Sequence, residues 1–128
     1  MVCKGEDHVH CVLDDGCDSR RVLDLISDKW TIIVVYALAQ GTKRYKQLQR
    51  EIMGVSQKML TQTLRGLECN GLVQREVYAT VPPKTEYSLT ALCQTLVEAL
   101  TPLCEWSEDH FADVEAARSV FKASRPGV

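Results

Sequence analysis

The sequence predicts one domain of the α+β class, mainly α-helical with a small β-ribbon. Apolar residues recur at helical spacing before residue 70 and after residue 90, and two β-like runs lie between these segments. The length and composition agree with this class, because 128 residues with 45% hydrophobic and 25% charged residues are typical of one globular domain. No apolar run approaches the roughly 18 residues that a membrane span needs, so no membrane association is predicted.

Three helices are predicted in the first half of the chain. A short helix covers residues 19–26, and the next, over residues 29–38, is apolar on nearly every side and should form the centre of the core. Its β-branched residues would also suit a buried strand, but its length without a turn signal favours a helix. Ser27 or Asp28 can cap this helix. Residues 44–52 form the third helix, which is short and apolar on one face.

The fourth predicted helix, residues 57–69, has two chemically different faces. Ser56 is placed to cap its first turn, and Asn70 and Gly71 end it because both residue types tolerate the left-handed conformation. One face is apolar and should pack on the core. The other face is polar and basic, and its residues are Ser56, Gln57, Lys58, Thr61, Gln62 and Arg65.

A β-ribbon and a long helix are predicted to follow. Residues 72–78 and 85–89 form the strands, and the proline-rich connection 79–84 is too long for a tight turn and should project as a loop. Thr90 can cap the last helix, which Pro102 should kink.

The domain organisation follows from these elements. We expect a flexible N-terminal extension over residues 1–16 and a folded domain over residues 17–112 that includes the helices for dimerisation. A C-terminal tail over residues 113–128 should be more weakly helical and fray at its end.

The charges divide the chain into a basic centre and two acidic ends. Residues 43–75 carry seven bases and two acids, whereas residues 1–28 carry three bases and seven acids. Residues 91–128 carry three bases and six acids. This distribution suits a molecule that presents one face to an anion, although an ordinary solvated surface would also explain it.

The order of the elements is that of a winged helix-turn-helix domain. A helix that enters the major groove of DNA needs short polar and long basic side chains, because glutamine can pair with an adenine edge and arginine with a guanine edge. Residues 56–69 meet this requirement, although the same side chains could simply solvate an amphipathic helix.

Four segments of the chain carry a recognisable pattern, and they are DLISDKW (24–30), SQKMLTQTL (56–64), GLVQREVY (71–78) and VPPKTEYSLT (81–90). In this order they resemble the HxlR-type winged helix-turn-helix transcriptional regulators, a MarR-like family that includes thiol-based sensors of oxidants and electrophiles. The resemblance implies a bacterial homodimer that binds a pseudo-palindromic operator in double-stranded DNA. It implies a recognition helix at about 56–69 in the major groove, a wing at about 79–84 near the minor groove, and dimerisation through the first and last helices.

The residues predicted to contact DNA come from the third helix, the recognition helix and the ribbon. They combine base-reading polar side chains with phosphate-binding cations. The set is Arg44, Lys46, Ser56, Gln57, Lys58, Thr61, Gln62, Arg65, Arg75, Tyr78 and Lys84.

Cys17 is the candidate redox or effector residue. The resemblance places a sensing cysteine about thirteen residues before the motif tryptophan, which is Trp30 here. Arg20, Arg21 and a helix N-terminus would raise the thiolate fraction of Cys17, whereas the flanking aspartates oppose this effect. The family usually has proline after this cysteine, where this chain has Asp18. A small residue buried at the dimer interface is the alternative interpretation.

No metal site or cofactor is predicted. The six cysteines contain no CxxC pair, and the N-terminal group of Cys3, His8, His10 and Cys11 fits no standard ligand spacing. A disulfide framework is not expected either, because the lack of a signal-peptide core predicts a cytoplasmic protein, where thiols stay reduced.

An enzymatic function is not predicted. No Ser/His/Asp arrangement, phosphate-binding glycine loop or pair of catalytic carboxylates can be identified. The alternative to a DNA-binding regulator is therefore a winged-helix module that binds proteins and not DNA.

Overall fold

The computed structural model describes residue 13 and residues 16–124, and it confirms the predicted fold class. The described chain forms two compact units, one ending at Gln94 and one beginning at Thr95. The elements, in order, are α1 (Asp18–Ile26), α2 (Lys29–Ala39), β1 (Lys43–Arg44), α3 (Tyr45–Glu51), α4 (Gln57–Cys69), β2 (Val73–Tyr78), β3 (Lys84–Leu89) and α5 (Ala91–Ser124).

The core of the first unit lies where α2 and α4 pack together. Helix α2 buries Val34, Val35 and Leu38, as its nearly uniform apolar surface predicts. Helix α4 buries only its predicted apolar face, which leaves its polar face at the surface; the buried residues are Leu60, Thr63, Leu64 and Leu67. Helix α4, the predicted recognition helix, is thus held against the core by apolar burial, the dominant favourable term in folding.

Local signals set the helix ends. The Asp28 carboxylate accepts a hydrogen bond from the Trp30 amide at 3.0 Å, and the Ser56 hydroxyl accepts one from the Met59 amide at 3.1 Å. At the end of α4, Gly71 adopts a φ of +72°, and the Leu72 amide donates to the Leu67 carbonyl at 2.9 Å. With the bond from the Gly71 amide to the Glu68 carbonyl at 3.1 Å, this forms a Schellman motif, so the predicted stop and the caps at Asp28 and Ser56 are confirmed. The predicted cap at Thr90 is confirmed too, since its hydroxyl accepts from the Cys93 amide at 3.2 Å.

The sheet has three antiparallel strands in the order β1-β3-β2. The ribbon of β2 and β3 was predicted, with Val73 opposite Leu89 and Tyr78 opposite Lys84. The short strand β1 was not predicted, and the expected helix start at Arg44 is wrong by one residue. Arg44 instead pairs with Glu86 of β3, because the second edge of β3 offers backbone hydrogen-bonding groups that β2 does not use.

The second unit consists of the helix α5 from Thr95 onward. The helix contains Pro102 and continues to Ser124 without ending at the tail that the sequence predicted to be weaker. Most of its surface is exposed, including large apolar side chains. These exposed residues are Leu103, Trp106, Phe111, Val120 and Phe121.

No helix among the described residues is long and apolar enough to span a membrane. The predicted extension over residues 1–16 and the predicted fraying at 125–128 lie outside the described residues, except for Leu13 and Gly16.

Candidate nucleic-acid interface

A tyrosine at the start of α3 fixes the position of the recognition helix. The Tyr45 hydroxyl donates a hydrogen bond to the Gln57 carbonyl oxygen at 2.9 Å. The Thr61 hydroxyl lies 2.9 Å from the same Tyr45 oxygen, and it must be the donor there because Tyr45 has only one hydroxyl proton. Tyr45 therefore joins the first two turns of α4 to α3. The apolar face predicted for residues 44–52 gave no sign of this role, which the polar end of a tyrosine side chain permits.

The outer face of α4 is polar, and it is exposed except at Thr61, which is half-buried. Gln57, Thr61 and Arg65 are spaced by four residues and form one stripe, and Lys58 lies beside it. Within residues 16–124, no carboxylate forms an ion pair with Lys58 or Arg65. Both cations are thus available to an external anion.

Two other predicted residues of α4 have different surroundings. The Ser56 hydroxyl already accepts the capping hydrogen bond from Met59. Gln62 is exposed but lines a recess of about 320 Å³ that Asp24 of α1 and Asp28 at the start of α2 also line. Gln62 therefore lies on the flank of α4 that faces α1 and α2, away from the stripe of Arg65.

A cationic cleft of about 1150 Å³ opens between α3, with the end of β1, and the β2–β3 loop. The cations that line it are Arg44, Lys46 and Arg50 from one side and Lys84 from the other. None of the described residues that line the cleft is acidic. The cleft thus collects three predicted DNA-contacting cations, and it adds Arg50, which lies one helical turn after Lys46 and could have been found by that spacing.

The base of the wing holds a small network of charged and aromatic groups. The Lys84 ammonium lies 3.9 Å from the Glu86 carboxylate and 5.3 Å from the centre of the Tyr78 ring. A hydrogen bond with Glu86 is the main cause that raises the pKa of Tyr78, and burial and Glu76 add to it. The single hydroxyl proton of Tyr78 is therefore directed to Glu86, which joins the two strands at the base of the wing.

Arg75 lies apart from the cleft and has a partner within the fold. Its guanidinium is 3.6 Å from the Glu68 carboxylate, which joins β2 to the last turns of α4. Across the ladder it faces Tyr87, whose pKa is raised by burial. Among the residues predicted to contact DNA, Arg75 therefore has the shortest distance to a carboxylate, which already balances its charge.

Lys43 belongs to the basic centre of the sequence but not to its exposed surface. Its side chain is buried, and its ammonium donates to the Glu51 carboxylate and to the Gln40 side-chain oxygen at 2.8 Å. The charge count along the chain thus overstates the exposed positive charge, since this lysine is neutralised inside the protein.

The pair of Lys43 and Glu51 predicts a dependence of stability on pH. The hydrogen bond from Lys43 holds the pKa of Glu51 below its usual value of 4.5, with Coulombic attraction adding to it. The stabilisation is therefore present above the unfolded-state pKa and is lost as the pH falls through the lowered native pKa. Urea midpoints measured between about pH 6 and about pH 3 should fall more steeply for wild type than for Glu51→Gln. Parallel curves for the two proteins would contradict this assignment.

Cys17 is buried and takes part in a disulfide, whereas Cys69, Cys93 and Cys104 are free thiols. The expectation that every cysteine stays reduced is wrong for Cys17. The two arginines predicted to act on its thiol have other partners: the Arg20 guanidinium donates to the Leu13 carbonyl at 3.1 Å, and Arg21 lies 4.0 Å from Asp18.

Within residues 16–124, the cysteines other than Cys17 are free thiols. Burial raises the pKa of the Cys93 thiol, which makes it less reactive. The N-terminal group of Cys3, His8, His10 and Cys11 lies outside the described residues. Within the described part of the chain, no group of three or more His, Cys, Asp or Glu side chains could hold a metal ion.

The sequence of this chain matches a known family profile and a known relative. The sequence profile described as HxlR-like helix-turn-helix matches residues 25–115. YtfH of Escherichia coli (strain K12), described as an uncharacterized HTH-type transcriptional regulator, is 42% identical over 104 residues, which cover 81% of this chain and 82% of YtfH.

Two solved structures of redox-related regulators are similar to this fold. The redox regulator HypR in its reduced form superimposes with a TM-score of 0.73 at 41% identity, covering 77% of this chain and 97% of HypR. The reduced form of the transcriptional regulator YodB from B. subtilis superimposes with a TM-score of 0.66 at 31% identity, covering 74% of this chain and 93% of YodB.

Proposed function

This chain belongs to the HxlR-like helix-turn-helix family and is a transcriptional regulator, and we propose that it is a homodimer that binds a pseudo-palindromic operator in double-stranded DNA. One observation carries the proposal: the exposed polar stripe of α4 is accompanied by a cleft lined by four cations and by no described acid. Such a surface suits double-stranded DNA, because the cations can bind its phosphates and the polar side chains can form hydrogen bonds with the edges of its bases.

The residues divide into base-reading and phosphate-binding groups. Gln57 and Arg65 have the side chains that pair with adenine and guanine edges in the major groove, and Lys58 lies beside them. Arg44, Lys46, Arg50 and Lys84 would hold the phosphates, which fixes the register but does not select the sequence.

The remaining predicted contacts have supporting roles. Ser56 and Thr61 would position α4 through their bonds to Met59 and Tyr45, and each hydroxyl keeps a lone pair for DNA. Tyr78 would hold Lys84 at the base of the wing, since the Lys84 ammonium lies over its ring. Gln62 and Arg75 stand at the edge of the interface.

The exposed apolar side chains support a homodimer. Helix α1 exposes Val22 and Leu23, and α5 exposes Leu103, Trp106 and Phe111. Apolar surface of this extent on a soluble chain indicates a protein partner. A second copy would place two recognition helices at successive major grooves, about 34 Å apart, which is what a pseudo-palindromic operator requires.

We further propose that the oxidation state of Cys17, or its reaction with an electrophile, controls DNA binding. Its disulfide lies at the N-terminal end of α1, a helix of the proposed dimer interface. HypR, to which the chain is similar, is described as a redox regulator with oxidized and reduced forms. A regulator that binds chromosomal DNA in a bacterium would act in the cytoplasm.

Fluorescence anisotropy tests this control. The probe is a duplex that the full-length protein enriches from a random pool, and the protein is compared after dithiothreitol and after diamide treatment. We expect the two treatments to give affinities that differ by about tenfold or more, because coupling free energies are typically 1–3 kcal/mol. Cys17→Ser should remove the difference, whereas Cys104→Ser, at an exposed free thiol, should keep it. Equal affinities after the two treatments would contradict control by the Cys17 thiol but would not contradict the proposed binding to DNA.

A further inference from the structure

The tip of the wing is unusual for a segment that is to meet DNA, because it carries no charge. Residues 79–83 are Ala, Thr, Val, Pro and Pro. Val81 stands at its apex and is fully exposed, with a relative accessibility of 102%. A single exposed apolar side chain is ordinary by itself, so its surroundings decide whether it has a role.

The tip is held in shape by its own bonds. The Thr80 hydroxyl donates to the Pro82 carbonyl at 2.8 Å, and the Thr80 amide donates to the Tyr78 carbonyl at 2.9 Å. Pro82 and Pro83 fix their own φ angles. Val81 is therefore presented by a restrained loop, and little further ordering is needed when a surface meets it.

The cations that could bind a nucleic acid lie in the cleft next to the wing, and none of them belongs to the tip itself. Val81 and both prolines line the same cleft as Arg44, Lys46 and Arg50. The nearest cation along the loop, Lys84, is held at the base by Glu86 and by the Tyr78 ring. If the phosphates of a DNA strand bind in the cleft, the adjacent groove of that DNA would therefore lie against the apolar tip of the wing.

We propose that Val81, supported by Pro82 and Pro83, enters the minor groove beside the recognition site and selects A·T over G·C pairs there. This inference rests on the proposed function. The guanine amino group is the donor that distinguishes G·C in the minor groove. The Val81 side chain has no hydrogen-bond acceptor, so a guanine amino group that faces it would lose water without gaining a hydrogen bond to that side chain. A·T pairs carry no such donor, and apolar side chains are established wedges in this groove.

The inference can be tested with three flanks on one operator. The probe is a duplex that wild-type protein enriches from a random pool, with the pairs just outside each half-site made A·T, G·C or inosine·cytosine. Inosine·cytosine has the major-groove face of G·C but lacks the minor-groove amino group. We expect wild type to bind the A·T and inosine·cytosine flanks about equally and the G·C flank about tenfold more weakly, in keeping with loss of one hydrogen bond.

Val81→Asn supplies the missing acceptor and should reduce the preference to below about twofold. Val77→Asn, at an exposed valine of β2, is the matched control and should keep it. The inference is overturned if inosine·cytosine behaves like G·C, or if Val81→Asn keeps the full preference while an operator is still enriched. A pool that yields no enriched duplex overturns the proposed function together with the inference.

Discussion

Leu60→Ala is expected to lower the free energy of unfolding by about 2–5 kcal/mol, the largest effect on stability that we predict for one substitution in α4. The Leu60 side chain is completely buried on the inner face of the recognition helix. Its truncation removes apolar contacts and leaves a cavity that the neighbouring helix can fill only in part. Urea unfolding at one fixed protein concentration measures the effect, because a dimer's apparent stability depends on concentration.

Met53→Ala is the control for this prediction. Met53 is 90% exposed in the turn before α4, so its truncation should change the unfolding free energy by less than about 0.5 kcal/mol. Equal losses for the two substitutions would show that the packing of α4 on α2 does not anchor the recognition helix.

Gln57→Ala and Arg65→Ala are each expected to reduce discrimination between the operator and single-base variants by about 1–3 kcal/mol, or about 5- to 150-fold. Each removes a side chain that can make two hydrogen bonds to one base. Competition binding with a panel of single-base variants measures the loss, which should be confined to the base pair that the side chain reads.

Matched controls are available on exposed positions away from α4. Gln94→Ala and Arg21→Ala make the same chemical changes on α5 and α1 and should leave the preference unchanged. If Gln57→Ala and Arg65→Ala are silent while the operator is still bound, α4 does not read the bases.

The features that sequence could predict are those whose causes lie within a few residues. Asp28 and Ser56 cap helices three residues or fewer away, and Gly71 ends α4 through bonds to residues of the same helix. The two faces of α4 likewise follow from helical periodicity alone. The predicted division of α4 into a buried apolar face and an outer polar face is therefore confirmed.

The features that sequence missed depend on distant partners. Arg44 lies in a strand because Glu86 of β3 pairs with it, and Lys43 is buried because Glu51 and Gln40 meet its ammonium. The role of Tyr45 depends on the packing of α3 against α4, and the cationic cleft depends on the path of the wing. None of these contacts leaves a periodic signal in the chain.

The end of α5 was underestimated for a different reason. The segment from residue 113 to Ser124 lacks the long apolar stripe that predicts burial, and it was therefore expected to be weakly helical. Its alanines, Glu115, Arg118 and Lys122 are nevertheless good helix formers, and the Arg118 guanidinium stacks 5.6 Å from the centre of the Phe111 ring. Intrinsic propensity accounts for this helix where amphipathic burial does not.

The salt dependence of operator binding tests the central claim most directly, because the claim is that a cationic surface of this chain holds DNA phosphates. A dimer that makes about four phosphate contacts per subunit should give a slope of log affinity against log salt near about −7. Lys46→Ala, which removes one exposed cation of the cleft from each subunit, should reduce the magnitude of the slope by about two. A wild-type slope near zero would contradict the account.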